Sequence, residues 1–264
     1  MVTPIIEVED VWYEYPNGVT ALRGVSLSIG RGDYIALVGM NGSGKTTLAK
    51  NLNGLLRPTK GSVRVKGIDT RSVRSENIAK VVGYVFQNPD HMLFATTIEK
   101  EVEFGPRNLR LSEDKIRRRV NNALEVTGLS KLRNESPLFF GKGIRRMITL
   151  AAVLSMEPEV LIIDEPTTGM DCRARGMVMS LIDRLNADGM TVIIITHDMR
   201  IVADHARRCI VMLDGRVLVD GATDEVFEMD AVLRSAGLRP PPRIIFAKWL
   251  RSQAHLEDGG SGPM

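Results

Sequence analysis

The stretch Tyr34-Ile35-Ala36-Leu37-Val38-Gly39-Met40-Asn41-Gly42-Ser43-Gly44-Lys45-Thr46-Thr47 decides how the chain is read. Its first five residues are an uninterrupted apolar run ending at a glycine, the pattern of a strand buried on both faces. The spacing Gly-x-x-x-x-Gly-Lys-Thr comes next, and a helical pattern (LAKNLNGLL) follows it. Glycines at these places let backbone N–H groups turn inward around phosphate oxygens, and the helix behind them adds a dipole that favours anions. Lys45 is placed to reach the terminal phosphates, and the Thr46 hydroxyl to ligate Mg²⁺. Gly39, Asn41, Gly42, Ser43, Gly44, Lys45, Thr46 and Thr47 are therefore expected to hold the phosphates of a nucleotide.

Outward from this loop, residues 5–15 alternate apolar with polar and read as a half-buried strand, followed by the turn signal Pro16-Asn17-Gly18. Short strands are expected at 25–29, 61–67, 81–86, 160–163 and 191–195, and a hairpin over 209–221 around Asp214-Gly215. Between them, 91–156 is mostly helical, with helices over 113–127 and about 143–156. The expectation is an α/β chain, a βα sheet interrupted by a helical insertion. The C-terminal SQAHLEDGGSGPM is poor in apolar residues and is expected to fray.

Leu161-Ile162-Ile163 ends in Asp164-Glu165. Beside a phosphate loop, such a strand end suits Mg²⁺ held through water by Asp164, and a water polarised by Glu165 as general base. The loop, the run LIIDEPTTGMD (161–171) and Thr196-His197-Asp198 stand in an order that resembles the ATP-binding subunit of ABC transporters, over about residues 5–250. The resemblance implies a P-loop NTPase (RecA-like) core with an N-terminal antiparallel β subdomain, built from 1–90 and 157–225. It also implies an inserted α-helical subdomain over 91–156 and a C-terminal helical extension and tail over 226–264. ATP and Mg²⁺ are the implied ligands. Glu165, His197 and Gln87 take the catalytic positions, and Gln87 also joins Thr46 and Asp164 at the metal. Asp171 matches a residue that crosses a dimer interface. Tyr15 matches the aromatic that stacks on adenine, with Tyr13 open as its replacement.

A narrower resemblance is to the energy-coupling-factor ATPases, which drive uptake of vitamins and transition-metal ions. It rests on Phe86–Phe94 (FQNPDHMLF), Thr97–Pro106 (TIEKEVEFGP) and Gly237–Pro242 (GLRPPP). It implies the motor of a membrane importer, peripheral at the cytoplasmic face of the cell membrane. The implied partners are a second ATPase subunit, a transmembrane subunit and a substrate-binding membrane subunit. Glu101, with Asp90 and Glu99, is the implied acidic contact to the membrane subunit.

One motif departs from the family pattern. Where the family has Leu-Ser-Gly-Gly-Gln, this chain has Phe140-Gly141-Lys142-Gly143-Ile144 or, in a shifted register, Leu138-Phe139-Phe140-Gly141-Lys142, and either lacks the serine. In the resemblance this loop closes on the partner's ATP, supplying a hydroxyl, N–H groups and a helix N-terminus. Gly141 has no hydroxyl, and Lys142 either crowds the phosphate or partly compensates with its ammonium. The groups the chain offers to its own ATP are all present. A heterodimer with an ordinary partner and one impaired site is therefore expected; a homodimer would have two impaired sites. A regulatory subunit with little hydrolysis of its own, or the ATPase of another ABC transporter class, is the competing expectation.

Composition narrows the rest. In 264 residues, 35 Lys and Arg face 32 Asp and Glu, a net charge of +3 that argues against a nucleic-acid partner. Two cysteines, Cys172 and Cys209, make no disulfide framework and suit a reducing compartment. No apolar run approaches the 18 residues of a membrane span, and the start, MVTPIIEVED, reads as neither signal nor transit peptide.

Overall fold

Three of the apolar runs become the inner strands of one sheet because every residue in them is buried. The computed structural model describes residues 3–258. β1 (Ile6–Glu14) and β2 (Thr20–Ile29) pair antiparallel, and the chain then runs through β3 (Tyr34–Val38) and the phosphate loop into α1 (Lys45–Leu52). β4 (Lys60–Val65) returns to β1 and β5 (Ile68–Asp69) closes the edge, giving a four-stranded antiparallel sheet ordered β2-β1-β4-β5. After α2 (Ser75–Ala79) and β6 (Val82–Val85) come α3 (Ile98–Asn108), α4 (Glu113–Val126) and α5 (Lys142–Leu154). The chain then alternates again, through β7 (Val160–Asp164), α6 (Cys172–Ala187), β8 (Thr191–Ile195) and α7 (Met199–His205). β9 (Arg208–Leu213) and β10 (Arg216–Ala222) form the expected hairpin, and α8 (Thr223–Glu228), α9 (Asp230–Ser235) and α10 (Pro242–Asp258) follow. The larger sheet has the order β10-β9-β3-β8-β7-β6, parallel throughout except for β10.

The inner strands alternate between two cores, as the period of a strand requires. Tyr34, Leu161, Ile163, Val192 and Ile194 face a core that they share with α5, α6 and the inserted helices. Ile35, Leu37, Ile162, Ile193 and Ile195 face the other, with Leu48 and Leu52 of α1 and the inner face of the antiparallel sheet. The insertion thus has no core of its own; Val102, Ile116, Val120 and Leu124 bury against the sheet's own cluster. Cys209 is buried beside Val211 and Phe227, where burial pushes its thiol up to about 12.

Two expectations change. β2 begins at Thr20, five residues before the expected strand, because it pairs with β1 up to Glu14. Residues 252–258, expected to fray, continue α10, while 259–264 lie outside the described residues.

Gly83 allows the close approach of α5 to β6. A β-carbon there would lie 2.4 Å from Val153 Cγ1. Gly83→Ala is expected to cost about 1–3 kcal/mol in urea unfolding, the usual range for overpacking, with partial recovery in Gly83→Ala/Val153→Ala.

Candidate active site

The strand order sets the carboxyl ends of β3, β8, β7 and β6 side by side, where open parallel sheets bind their ligands. β3 delivers the phosphate loop, β8 delivers His197, β7 delivers Asp164 and Glu165, and β6 delivers Gln87.

The loop takes its shape from glycines in the left-handed region: Gly39 at φ +147°, Gly42 at +82° and Gly44 at +99°. A β-carbon at 39 would lie 2.3 Å from the Met212 carbonyl oxygen, and one at 44 would lie 2.6 Å from that of Ala21. The backbone therefore passes between β9 and β2 with room for hydrogen alone. Lys45 is 8% exposed; its ammonium donates to the carbonyls of Gly39 (2.9 Å) and Met40 (2.8 Å), which curls the loop around it. Burial lowers its pKa, while Glu165 and Asp164 act the other way.

Thr46 Oγ1 donates to Asp164 Oδ2 at 3.0 Å, so a hydroxyl and a carboxylate meet at the first turn of α1. Two hard oxygen donors at this separation, one of them a carboxylate, fit Mg²⁺. Tyr84 donates to the same Oδ2 at 3.0 Å, a partner the sequence did not disclose. Burial raises the Asp164 pKa, with the Thr46 and Tyr84 hydrogen bonds opposing. Burial beside Asp164 likewise raises the Tyr84 phenol.

Glu165 stands at φ +48°, a left-handed turn that a side chain rarely adopts. Its Oε1 lies 2.6 Å from His197 Nδ1 and accepts the His197 main-chain N–H at 3.2 Å. Its Oε2 accepts from Thr168 (3.2 Å) and Thr196 (3.3 Å). Tyr15 lines the same open cleft of about 310 Å³ as Asn41, Gly44, Thr46, Gln87, Asp164 and Glu165. Its hydroxyl is 3.0 Å from Thr47 Oγ1, whereas Tyr13 packs edge-on against Tyr15 and lies half-buried against the core.

A second cleft holds the altered loop. Gly141 caps α5, Lys142 begins it, and Gly143 abuts α6 so closely that a β-carbon there would lie 2.7 Å from Ala174 Cβ. Lys142 folds its ammonium over Gly169. Asp171 caps α6, accepting the Ala174 N–H at 2.8 Å. Within one chain these residues line a different cleft from that of Lys45.

The acidic contact needs correction. Glu101 is 3% exposed, and its Oε2 accepts the main-chain N–H groups of Phe94 (2.9 Å) and Ala95 (2.8 Å). These buried donors need an acceptor, so the carboxylate is spent inside the fold and cannot face a partner. Glu99 pairs with Arg133, and Asp90 remains half exposed while pairing with Arg145 at 2.6 Å. Arg146, noted in the sequence only as a cation near Lys142, is buried and reaches the carbonyls of Phe86, Gln87 and Glu165.

Fold and cleft together define a phosphate-loop nucleoside-triphosphatase cassette. The family model described as ABC transporter matches residues 22–168. The chain is 40% identical to the energy-coupling factor transporter ATP-binding protein EcfA of Methanocaldococcus jannaschii, over 90% of this chain and 86% of that protein. It spans 42% of a longer ABC-type relative in Caldanaerobacter subterraneus, at 46% identity over 90% of this chain. Among solved structures, cbiO1 of Clostridium perfringens, part of the ABC transporter complex cbiONQ, matches with TM-score 0.79 and 38% identity. That match covers 93% of this chain and 99% of the other. A dimeric ATP-binding cassette bound to ADP and phosphate matches with TM-score 0.73 and 28% identity, over 83% and 98%. The chain belongs to the ABC transporter family, as an ATP-binding, ATP-hydrolysing subunit.

The Asp164 shift has a measurable sign. Its raised pKa means that the ionised form costs the folded state stability at neutral pH, a cost that disappears once pH falls below the ordinary carboxylate range. Asp164→Asn is expected to raise the thermal midpoint of the nucleotide-free protein at pH 7, by about 2–4 °C for each kcal/mol relieved. Calorimetry should find the gain shrinking as pH falls through the raised Asp164 pKa toward the ordinary carboxylate value of about 4, and gone below it.

Proposed function

We propose that the chain is a motor subunit of an energy-coupling-factor-type membrane importer, coupling ATP hydrolysis to uptake of a transition-metal ion or a vitamin. The observation that carries the catalytic half is the convergence of Lys45, Thr46, Asp164, Glu165, His197 and Gln87 on neighbouring strand ends. The relatives' names support the transport half.

In this reading the loop amides and Lys45 bind the terminal phosphates of ATP, and Tyr15 stacks on the base. Thr46, Asp164 and Gln87 would hold Mg²⁺, which when bound neutralises charge on the phosphate oxygens. Glu165 orients a water for in-line attack and accepts its proton. His197, 2.6 Å away, holds the carboxylate in place and presents its ring to the γ-phosphate. Glu165→Gln is expected to lower hydrolysis by about 10²–10⁴-fold while leaving nucleotide affinity near wild type. Hydrolysis at the wild-type rate would reject Glu165 as the base.

In this reading the membrane partner docks on the surface around Asp90. There Phe94 and Phe104 pair edge-to-face at 4.7 Å while exposed at 65% and 48%, and Phe139 is 82% exposed. Arg145 joins the two halves of this surface, bonding Asp90 and the Leu138 carbonyl. An apolar patch with a charged rim suits a partner segment. The protein would then sit peripherally on the cytoplasmic face of the membrane, and no described helix is long and apolar enough to cross it.

The altered loop favours a different ATPase chain as dimer partner. Gly141 and Lys142 would complete the partner's ATP site, leaving that site slow and the site on Lys45 fast. The same loop favours, as a second reading, a regulatory subunit with little hydrolysis of its own. In the purified chain alone, Gly141→Ser/Lys142→Gly is expected to raise turnover by up to about 10²-fold if the loop limits it. Co-purification from native membranes in mild detergent tests the assembly. A second ATPase with an intact loop, together with a membrane subunit, is the expected result; this chain without a membrane partner would count against transport.

A further inference from the structure

Arg146 is 1% exposed, the largest side chain that the fold buries completely. It stands in the second turn of α5, the helix whose first residues are Lys142 and Gly143. Its guanidinium donates to three main-chain carbonyls: Nη1 to Phe86 (2.5 Å), and Nη2 to Gln87 (2.5 Å) and Glu165 (3.3 Å). Its Nε has no partner, and among the described residues no carboxylate forms an ion pair with it. Burial lowers its pKa to about 10, the fields of Asp164 and Glu165 opposing.

A buried cation that no carboxylate contacts directly is a poor stabilising device. What it provides here is geometry. Phe86 and Gln87 are the first residues after β6, and Glu165 is the first after β7, the neighbouring strand. One planar, forked group thus spans the ends of two strands and is itself carried on a helix from the insertion. Glu165 needs such a hold because its backbone is left-handed. The adjacent Arg145 grips the same loop from outside, through Asp90 at 2.6 Å.

We propose that Arg146 is a positioning residue that ties the Glu165 turn and the Gln87 loop to α5, so that a shift of α5 moves the Glu165 carboxylate. This rests on the reading of Glu165 as the base. In the proposed assembly, the helix that offers its N-terminus to the partner ATPase and the loop that faces the membrane subunit then act on the hydrolytic carboxylate through one side chain. The arrangement gives the chain a direct path between partner contact and water activation.

The test compares wild type with Arg146→Lys and Arg146→Gln in the full chain. Lysine keeps the charge but, as a single ammonium, cannot span three carbonyls. The expected result for folded Arg146→Lys is a fall in kcat of at least about 10-fold with KM for ATP within about 3-fold. Hydrogen exchange should speed up in peptides covering 85–90 and 163–168 and stay unchanged over the phosphate loop. A lowered Tm with kcat within about 3-fold of wild type would overturn the proposal, leaving Arg146 a purely structural group. So would exchange that speeds up uniformly along the chain.

A second measurement needs no variant. In the wild-type chain, ATP should slow exchange over 85–90, 141–147 and 163–168 by a common factor, within about 2-fold, as expected of one cooperative unit. Unrelated factors for the three segments would overturn the proposal even if neither variant folds. Activity retained by Glu165→Gln would remove the base reading alone, because the exchange data test the tie itself.

Discussion

Between the Met212 carbonyl at the end of β9 and the Ala21 carbonyl in β2, the backbone of residues 39–44 passes with no space for side chains at Gly39 or Gly44. The rest of the molecule is arranged around this passage. The loop must present its N–H groups outward, so its walls must come from other strands: β9 on one side and the antiparallel sheet on the other. β3 can hold the loop only because it is itself clamped between β8 and β9 in a sheet buried on both faces. Lys45 completes the curl from inside by bonding the carbonyls of Gly39 and Met40. A cation that bonds its own loop in this way is already placed where phosphate charge will arrive, with little reorganisation left to make.

Around this loop the site is a set of charges held in tension by burial. Asp164 is buried and ionises reluctantly, steadied by two hydroxyls. Glu165 keeps both carboxylate oxygens occupied by His197, Thr168 and Thr196, all from the ends of neighbouring segments. Arg146 carries the positive charge beneath them and shares it among carbonyls rather than with either carboxylate. The altered loop at 141–143 lies on the same helix as Arg146 but faces a different cleft. In the proposed assembly the start of α5 serves the partner's ATP, so the missing hydroxyl at Gly141 and the added side chain of Lys142 both fall on the half given to the partner.

Much of the site could be read directly from the chain because its chemistry is local. Gly39 to Thr47, Asp164-Glu165 and His197 each follow an apolar run, and each run became a buried parallel strand. Tyr84 and Arg146 gave no such signal, since one looks like a strand aromatic and the other like a helix-surface cation. Glu101 misled for the opposite reason. An acidic residue on an amphipathic helix reads as solvent-facing, and nothing in the pattern announces that the N–H groups of Phe94 and Ala95 will need its carboxylate. Tyr15 was preferred over Tyr13 in the sequence, and in the structure Tyr15 lines the cleft while Tyr13 lies half-buried against the core.

By itself the sequence determined the phosphate loop, the alternating α/β order and the helical interruption, because glycine spacing and apolar periodicity act within a few residues. The tertiary structure alone decided the order β3-β8-β7-β6, which brings residues 45, 87, 165 and 197 to one edge. It also decided which buried groups answer one another: Tyr84 with Asp164, Glu101 with a loop, Arg146 with three carbonyls. Those pairings join residues far apart in the chain. Their physical cause is the need of each buried polar group for a partner, and that need can be met only once packing has set which groups are near.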